Sequence, residues 1–325
     1  MENLVATQPR VGIVGFGAMG AAMARNLQCR QYAVAVRDID PQAQTLAQQQ
    51  GLETVASPAA LAAVVDVIAV VVVNAAQIAD VLFGTPGCPG VVEGSRPGQS
   101  VLLCSTIAPD DAIAFASRLA ALGLCVIDAP ISGGPARAST GEMSMMLAGP
   151  SAALLALEPL LSDLAKSRFQ LGDTVGDASK AKLVNNLLAG IHLAAAAEAM
   201  ALGVQVGLAP HTIFDIVCAS SGHSWIFQDR MARAIADDFS PRAAVSVLTK
   251  DLGLATALAS THQAYTPLGA VALAQFKQTV ARGWADLDDA ALLKTYLAEN
   301  ACSDQVQQAS RLALYPSHPT TRGTT

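Results

Sequence analysis

Aromatic residues make up only 4% of this 325-residue chain and charged residues only 14%. With so few rings and ions to draw on, the 52% of hydrophobic residues must close a core packed chiefly from Ala, Val and Leu, the composition of a soluble α/β protein. Basic residues are in deficit: 20 Lys and Arg against 26 Asp and Glu leave a net charge of −6, and they form no cluster. That excludes a nucleic-acid surface. The six cysteines, Cys29, Cys88, Cys104, Cys125, Cys218 and Cys302, include no C-x-x-C pair. Neither a metal site nor a disulfide framework is therefore expected, and free thiols in a reducing compartment are. No apolar run reaches membrane-spanning length unbroken, since 64–73 is too short and 187–208 is interrupted by His192, Glu198 and Gln205. No membrane partner is expected. The opening MENLVATQPR carries no apolar signal core, which predicts a cytoplasmic protein.

What the chain does have, over residues 10–171, is an alternation of short β-rich apolar runs with helical ones. Strands are expected at 10–14, 33–37, 67–73, 100–104 and 168–171 and in EMSMMLAG, with helices at 58–65, 75–82, 109–122 and 151–165. A run such as VIAVVVV is apolar on both faces, as a parallel strand covered by helices on both sides must be. Beyond residue 176 nearly everything reads as helix. The pattern predicts an α/β Rossmann-type doubly wound sheet over residues 1–175, followed by an all-α C-terminal domain over 176–325, with the boundary within 172–178.

The first strand runs straight into Gly15-Phe16-Gly17-Ala18-Met19-Gly20 and then into the helical AAMARNLQ. Strand, glycine turn and helix are the context in which G-x-G-x-x-G holds a pyrophosphate. Gly15 permits the turn, Gly17 lets backbone amides approach the phosphates, and Gly20 lets helix and strand pack closely. Asp38 ends the next strand, where a carboxylate accepts hydrogen bonds from an adenosine ribose; this favours NAD as cofactor, while Arg37 beside it keeps NADP open. Asn74 and Ser105-Thr106 close two further strands at the edge where such sheets bind ligands, either as helix caps or as cofactor contacts.

Asp128-Ala129-Pro130-Ile131-Ser132-Gly133-Gly134-Pro135 also follows a strand, and a polar span runs on to Gly141. Ser132, Gly133 and Gly134 offer backbone N–H groups and a hydroxyl with little bulk around them, which makes either a tight turn or a cradle for a carboxylate. Residues 176–207 form one long Ala- and Leu-rich helix, yet its first turns carry Lys182, Asn185 and Asn186. Lys182 and Asn186, four apart, share one face. Unpaired they are costly to bury, so they either face solvent or line a cleft.

GFGAMGAAMARNL, DAPISGGPARASTGEMSMMLAG, KLVNNLL and VLTKDLGLA, in that order, resemble the β-hydroxyacid dehydrogenase family over residues 12 to about 311. 3-Hydroxyisobutyrate dehydrogenase and tartronate semialdehyde reductase belong to it. The resemblance implies an NAD(P)-dependent oxidoreductase that moves hydride between a small hydroxy acid and the nicotinamide. It implies Lys182 as the catalytic residue, Asn186 as the substrate-holding one, and Ser132, Gly133 and Gly134 on the substrate carboxylate. Lys250, with Asp251, falls at the nicotinamide end, and a homo-oligomer, dimer or tetramer, is implied as well. The family's second glycine before the lysine is Ala178 here, which implies an altered turn. VVNAAQIADVLFG and SSGHSWIFQDRM, joined to DDFSPRAAVSVLTKDLGLA, resemble the members that oxidise the 2-hydroxyl of a four-carbon sugar acid with NAD. A positioned lysine can take the proton that must leave such a hydroxyl. A reductase of small semialdehydes using the same residues in the other direction stays open, as does a dinucleotide-binding protein without catalysis. A 6-phosphogluconate-type decarboxylating enzyme is disfavoured by a short helical half with few basic residues.

In the helical half, further helices are expected at 210–219, 224–236, 242–261, 268–283 and 289–297. The SSGHSW turn with Phe227 and Arg230 is placed near a polyhydroxylated substrate, and His223 is read as a surface or capping residue. The terminal YPSHPTTRGTT, polar and Pro-bearing, is expected to be poorly ordered.

Overall fold

A computed structural model describes residues 8–301; the expectation for the C-terminal tail, and Cys302, lie outside them. One sheet contains β1 (Val11–Val14), β2 (Val34–Arg37), β3 (Glu53–Thr54), β4 (Val67–Val70), β5 (Ser100–Leu103) and β6 (Cys125–Asp128), all parallel, in the order β3-β2-β1-β4-β5-β6. Between the strands run α1 (Ala18–Cys29), α2 (Pro41–Gln49), α3 (Pro58–Val64), α4 (Ala75–Phe83), α5 (Val91–Gly94) and α6 (Pro109–Ala120). The strand order reverses direction between β1 and β4, and the crevice outside the C-terminal ends of those two strands is where a doubly wound sheet takes its ligand.

Successive residues along each strand enter opposite cores. Ile13, Ala69 and Leu102 join Met23, Leu27 and Leu161 on one face, while Val14, Ile68 and Val101 join Leu61, Ile78 and Leu119 on the other. Burial on both faces is why these strands read as unbroken apolar runs. A smaller sheet follows, in which β7 (Ile131–Ser132) pairs antiparallel with β8 (Ser144–Leu147) and β8 pairs parallel with β9 (Ser167–Gln170). Its helices are α7 (Gly134–Ala138), α8 (Ser151–Ala156) and α9 (Glu158–Leu164).

Two expectations need correction. The strand expected over 67–73 stops at Val70: the Val72 N–H turns to Ser105 Oγ (3.1 Å) and the Val73 N–H to Gln77 Oε1 (2.8 Å), which takes the chain off the sheet and into α4. The single helix expected over 151–165 is two, broken at Leu157, because Pro159 has no N–H to donate to the Leu155 carbonyl. The polar span before Gly141, to which no element was assigned, contains α7, whose Ala138 is wholly buried in the core shared with α1.

The rest is helical: α10 (Asp177–Gln205), α11 (Pro210–Cys218), α12 (Trp225–Ile235), α13 (Val245–Thr261), α14 (Pro267–Ala281), a 3₁₀ turn at Asp289–Ala291, and residues 292–301. The chain divides into two compact units. One holds the residues up to Leu187 with Asp251–Tyr265; the other holds Leu188–Lys250 with the residues from Thr266 on. Among the described residues α10 is long and apolar enough, by length and composition, to cross a membrane, and 44% of its most apolar window is buried within the protein. The described cysteines are all free, and no cluster of His, Cys, Asp and Glu among the described residues could hold a metal ion.

The second unit is built round an ionic knot. Arg230 grips the buried Asp289 with two bonds (Nε to Oδ1 2.5 Å, Nη2 to Oδ2 3.2 Å), Arg233 reaches the buried Asp288 (2.7 Å), and both guanidinium groups also meet Asp229. Arg230, expected beside a substrate, is thus tied into a network of carboxylates, and Phe227 is buried and stacked on Phe214 with ring centroids 5.9 Å apart. His223, on the surface as expected, meets Gln228 (3.2 Å).

Burial pushes the Asp289 carboxyl up to about 6, against the pull of Arg230. Between about pH 4 and 6 the folded chain therefore holds a proton that the unfolded chain releases, and this group's contribution favours folding more strongly as the pH falls through that window. The stability margin of the parent over Asp289→Asn, read from urea midpoints, is accordingly expected to be larger at about pH 4.5 than at about pH 7.

Candidate active site

The glycine turn is held by close approaches that no side chain could share. Gly15 has φ +100°, and a Cβ there would stand 2.3 Å from the Val71 carbonyl oxygen; one on Gly20 would stand 1.9 Å from the carbonyl oxygen of Gly15. Gly17, by contrast, opens outward: a Cβ on it would meet nothing within 4 Å. It caps α1 without a side chain, and the N–H groups of Ala18, Met19 and Gly20 precede the first intrahelical bond, from the Ala21 N–H to the Gly17 carbonyl (2.9 Å). Amides at the positive end of a helix, with open space before them and no acidic residue in the first turn, fit a pyrophosphate.

Asp38 stands one residue past β2 and reaches back to this turn. Its Oδ2 accepts the N–H of the buried Phe16 (2.5 Å) and its Oδ1 that of Asp40 (2.8 Å). Each oxygen keeps a further lone pair for a ribose hydroxyl. The neighbouring Arg37 turns its guanidinium onto the Asp38 carbonyl. Asn74 caps α4 by accepting the Gln77 N–H (2.9 Å), while the buried Ser105 ties the ends of β4 and β5 through the Val72 N–H; Thr106 next to it is half-buried.

Ser132 ends β7 opposite Ser144. Gly133 (φ +125°) and Gly134 (φ +75°) then take conformations that L side chains avoid, and a Cβ on Gly134 would meet nothing within 4 Å. A sharp bend with one uncluttered side results.

The alternative left open for Lys182 and Asn186 resolves toward burial. Ser179, Lys182 and Asn186 lie on one face of α10 and are 1%, 6% and 7% exposed, whereas Asn185 faces outward. Asn186 donates through Nδ2 to Oδ2 of the buried Asp251 on α13 (2.7 Å) and accepts from Asn185 Nδ2 (3.0 Å). Lys250, next to Asp251, is half-buried. Ala178 lies in the first turn of α10, its methyl buried against Met146 and Ala148.

Sequence reasoning missed Asp128. From the end of β6 its Oδ2 accepts the N–H groups of Gly176 (2.9 Å) and Ser179 (2.8 Å), and its Oδ1 accepts the Ser179 hydroxyl (2.8 Å). Burial raises the Asp128 carboxyl, with the Ser179 and Gly176 bonds pulling it down; burial, and secondarily Asp128, pushes the Cys104 thiol up to about 12. The available signal was an Asp closing a strand, in a chain whose long helix brings no side-chain cap of its own.

Residues 10–172 match the family model described as the NAD binding domain of 6-phosphogluconate dehydrogenase. Residues 176–296 match the one described as NAD-binding of NADP-dependent 3-hydroxyisobutyrate dehydrogenase. The L-threonate dehydrogenase of Cupriavidus necator is 39% identical over 286 residues, covering 88% of this chain and 95% of that protein. The L-threonate dehydrogenase of Escherichia coli K12 is 37% identical over 287 residues, covering 88% and 94%. The crystal structure of 3-hydroxyisobutyrate dehydrogenase from Salmonella typhimurium is similar with a TM-score of 0.83 and 39% identity, covering 88% of this chain and 99% of that one.

Proposed function

The chain belongs to the β-hydroxyacid dehydrogenase family, the 3-hydroxyisobutyrate dehydrogenase-like NAD(P)-binding oxidoreductases that act on CH–OH groups, and from that premise we propose that it oxidises the 2-hydroxyl of L-threonate with NAD. The likeness to L-threonate dehydrogenases over most of the chain supports the substrate, and Asp38 beside the glycine turn supports NAD.

The observation that carries the chemistry is a lysine 6% exposed on the same helix face as an asparagine whose amide is already oriented by a carboxylate. Bound along the glycine turn, the nicotinamide cofactor supplies the hydride acceptor. The protein's part is the proton and the alignment. Lys182 takes the proton from the alcohol during oxidation and returns one during reduction. Asn186 has a second Nδ2 hydrogen beyond the one given to Asp251, and with it holds the alcohol oxygen beside the amine. Ser132, Gly133 and Gly134 take the substrate carboxylate on backbone N–H groups, with Gly134 leaving room for it.

Homo-oligomerisation belongs to the same reading. Val184, Leu188 and Leu202 follow one stripe of α10, with Val206 one residue past its end, and are 66%, 53%, 62% and 65% exposed, an apolar face suited to a second copy. The free described cysteines suit a reducing, cytoplasmic setting.

A panel of three- and four-carbon hydroxy acids with NAD and NADP, followed by nicotinamide absorbance, tests the assignment. L-Threonate with NAD is expected to give the highest kcat/KM. Faster turnover of another hydroxy acid, or faster reduction of tartronate semialdehyde, would reassign the substrate; no turnover of any would leave a dinucleotide-binding protein.

A further inference from the structure

Asp128 closes β6 four residues before Ser132, and its carboxylate is 1% exposed. The Gly176 and Ser179 N–H groups it accepts come from the start of α10, where a helix leaves its first amides without intrahelical partners. An anion is favoured at that end by the helix dipole. With the Ser179 hydroxyl as a third donor, Asp128 does for α10 what a capping side chain does, but from a different element.

The cap is also a hinge pin between two parts of the site. Downstream, Asp128 leads through Ala129, Pro130 and Ile131 into Ser132, Gly133 and Gly134. Across the gap it fixes Ser179, one turn before Lys182 on the same face. Asp251 holds that buried polar face at Asn186, one turn beyond the lysine. Lys182 therefore lies between two carboxylate anchors, and the one at the helix start also roots the glycine cradle.

We propose that Asp128 is a positioning residue for Lys182, setting the amine's place relative to the Ser132–Gly134 cradle; this rests on the reading of Lys182 as the group that transfers the proton. A cap that served stability alone would lower the melting temperature and leave turnover per folded molecule unchanged. A positioning residue lowers kcat, and does so only while the lysine is there to be positioned.

The test is a double-mutant cycle on the full chain with NAD and L-threonate, at a temperature where circular dichroism shows every variant folded. Asp128→Asn keeps the shape and one acceptor oxygen but loses the charge and turns an amide toward Ser179. It is expected to lower kcat at least about fivefold with NAD affinity within about twofold of the parent. In a Lys182→Ala background the same change is expected to have no further effect on the residual rate. A smaller loss in the parent background, or an equal loss with and without the lysine, would overturn the proposal. Were Asp128→Asn unfolded, Ser179→Ala, which removes one donor and spares the carboxylate, decides by the same cycle with about twofold as its threshold. Parental turnover in Lys182→Ala would instead sink the reading of the lysine, so the two failures are distinct.

Discussion

Lys182→Ala is expected to lower turnover by about 10² to 10⁴-fold, the usual worth of a positioned acid or base, while NAD binds as before. The two effects separate because the groups that fit the cofactor, the amides after Gly17 and the carboxylate of Asp38, lie at the start of α1 and just past β2, on elements other than the helix that carries the amine. Shortening a buried side chain on α10 leaves Asn186 tied to Asp251 and Ser179 tied to Asp128, so the helix keeps its place. Lys182→Arg is expected to fail as a rescue, since a guanidinium retains its proton at any pH the enzyme tolerates and its fork demands a different space. Single-turnover rates with L-threonate, alongside NAD titration by fluorescence, measure both quantities. A variant as fast as the parent removes the amine from the reaction.

Arg230→Ala is expected to destabilise the second unit by about 3–5 kcal/mol, the cost of breaking a buried ion pair from one side. The Arg230 side chain is 12% exposed and that of Asp289 2%, so water cannot replace the lost guanidinium. Asp289 would escape part of the penalty by taking up a proton, which keeps the loss toward the lower end of that range. Removing both partners together, as in Arg230→Met with Asp289→Leu, is expected to recover most of the stability because no buried charge is left behind. Urea denaturation of the single and double variants decides; a single variant within about 0.5 kcal/mol of the parent would show the pair to be dispensable.

The glycine turn was legible because everything it needs is contiguous: a strand, three glycines and a helix start within a dozen residues, with Asp38 at the next strand end. The shared face of Lys182 and Asn186 followed from helical spacing alone. Whether that face was buried did not, because the groups that hold it are distant in sequence, Asp128 before the helix and Asp251 on α13. The partner of Arg230 was illegible for the same reason: nothing local to the Ser- and His-bearing turn shows that Asp289, 59 residues on, folds back onto it. The break at Leu157 was written in Pro159, and the two-residue strands β3 and β7 are too short to show any periodicity.

The nucleotide-binding unit is not a continuous piece of chain, since Asp251–Tyr265 return to complete it. A fragment ending at Leu187 would carry the glycine turn, the cradle and the amine, yet it would lack the carboxylate that Asn186 leans on and the apolar side chains of the returning segment. The helical half is therefore not a detachable module for a protein engineer: any chimera must swap the later helices around a retained Asp251–Tyr265 segment, or replace both segments at once.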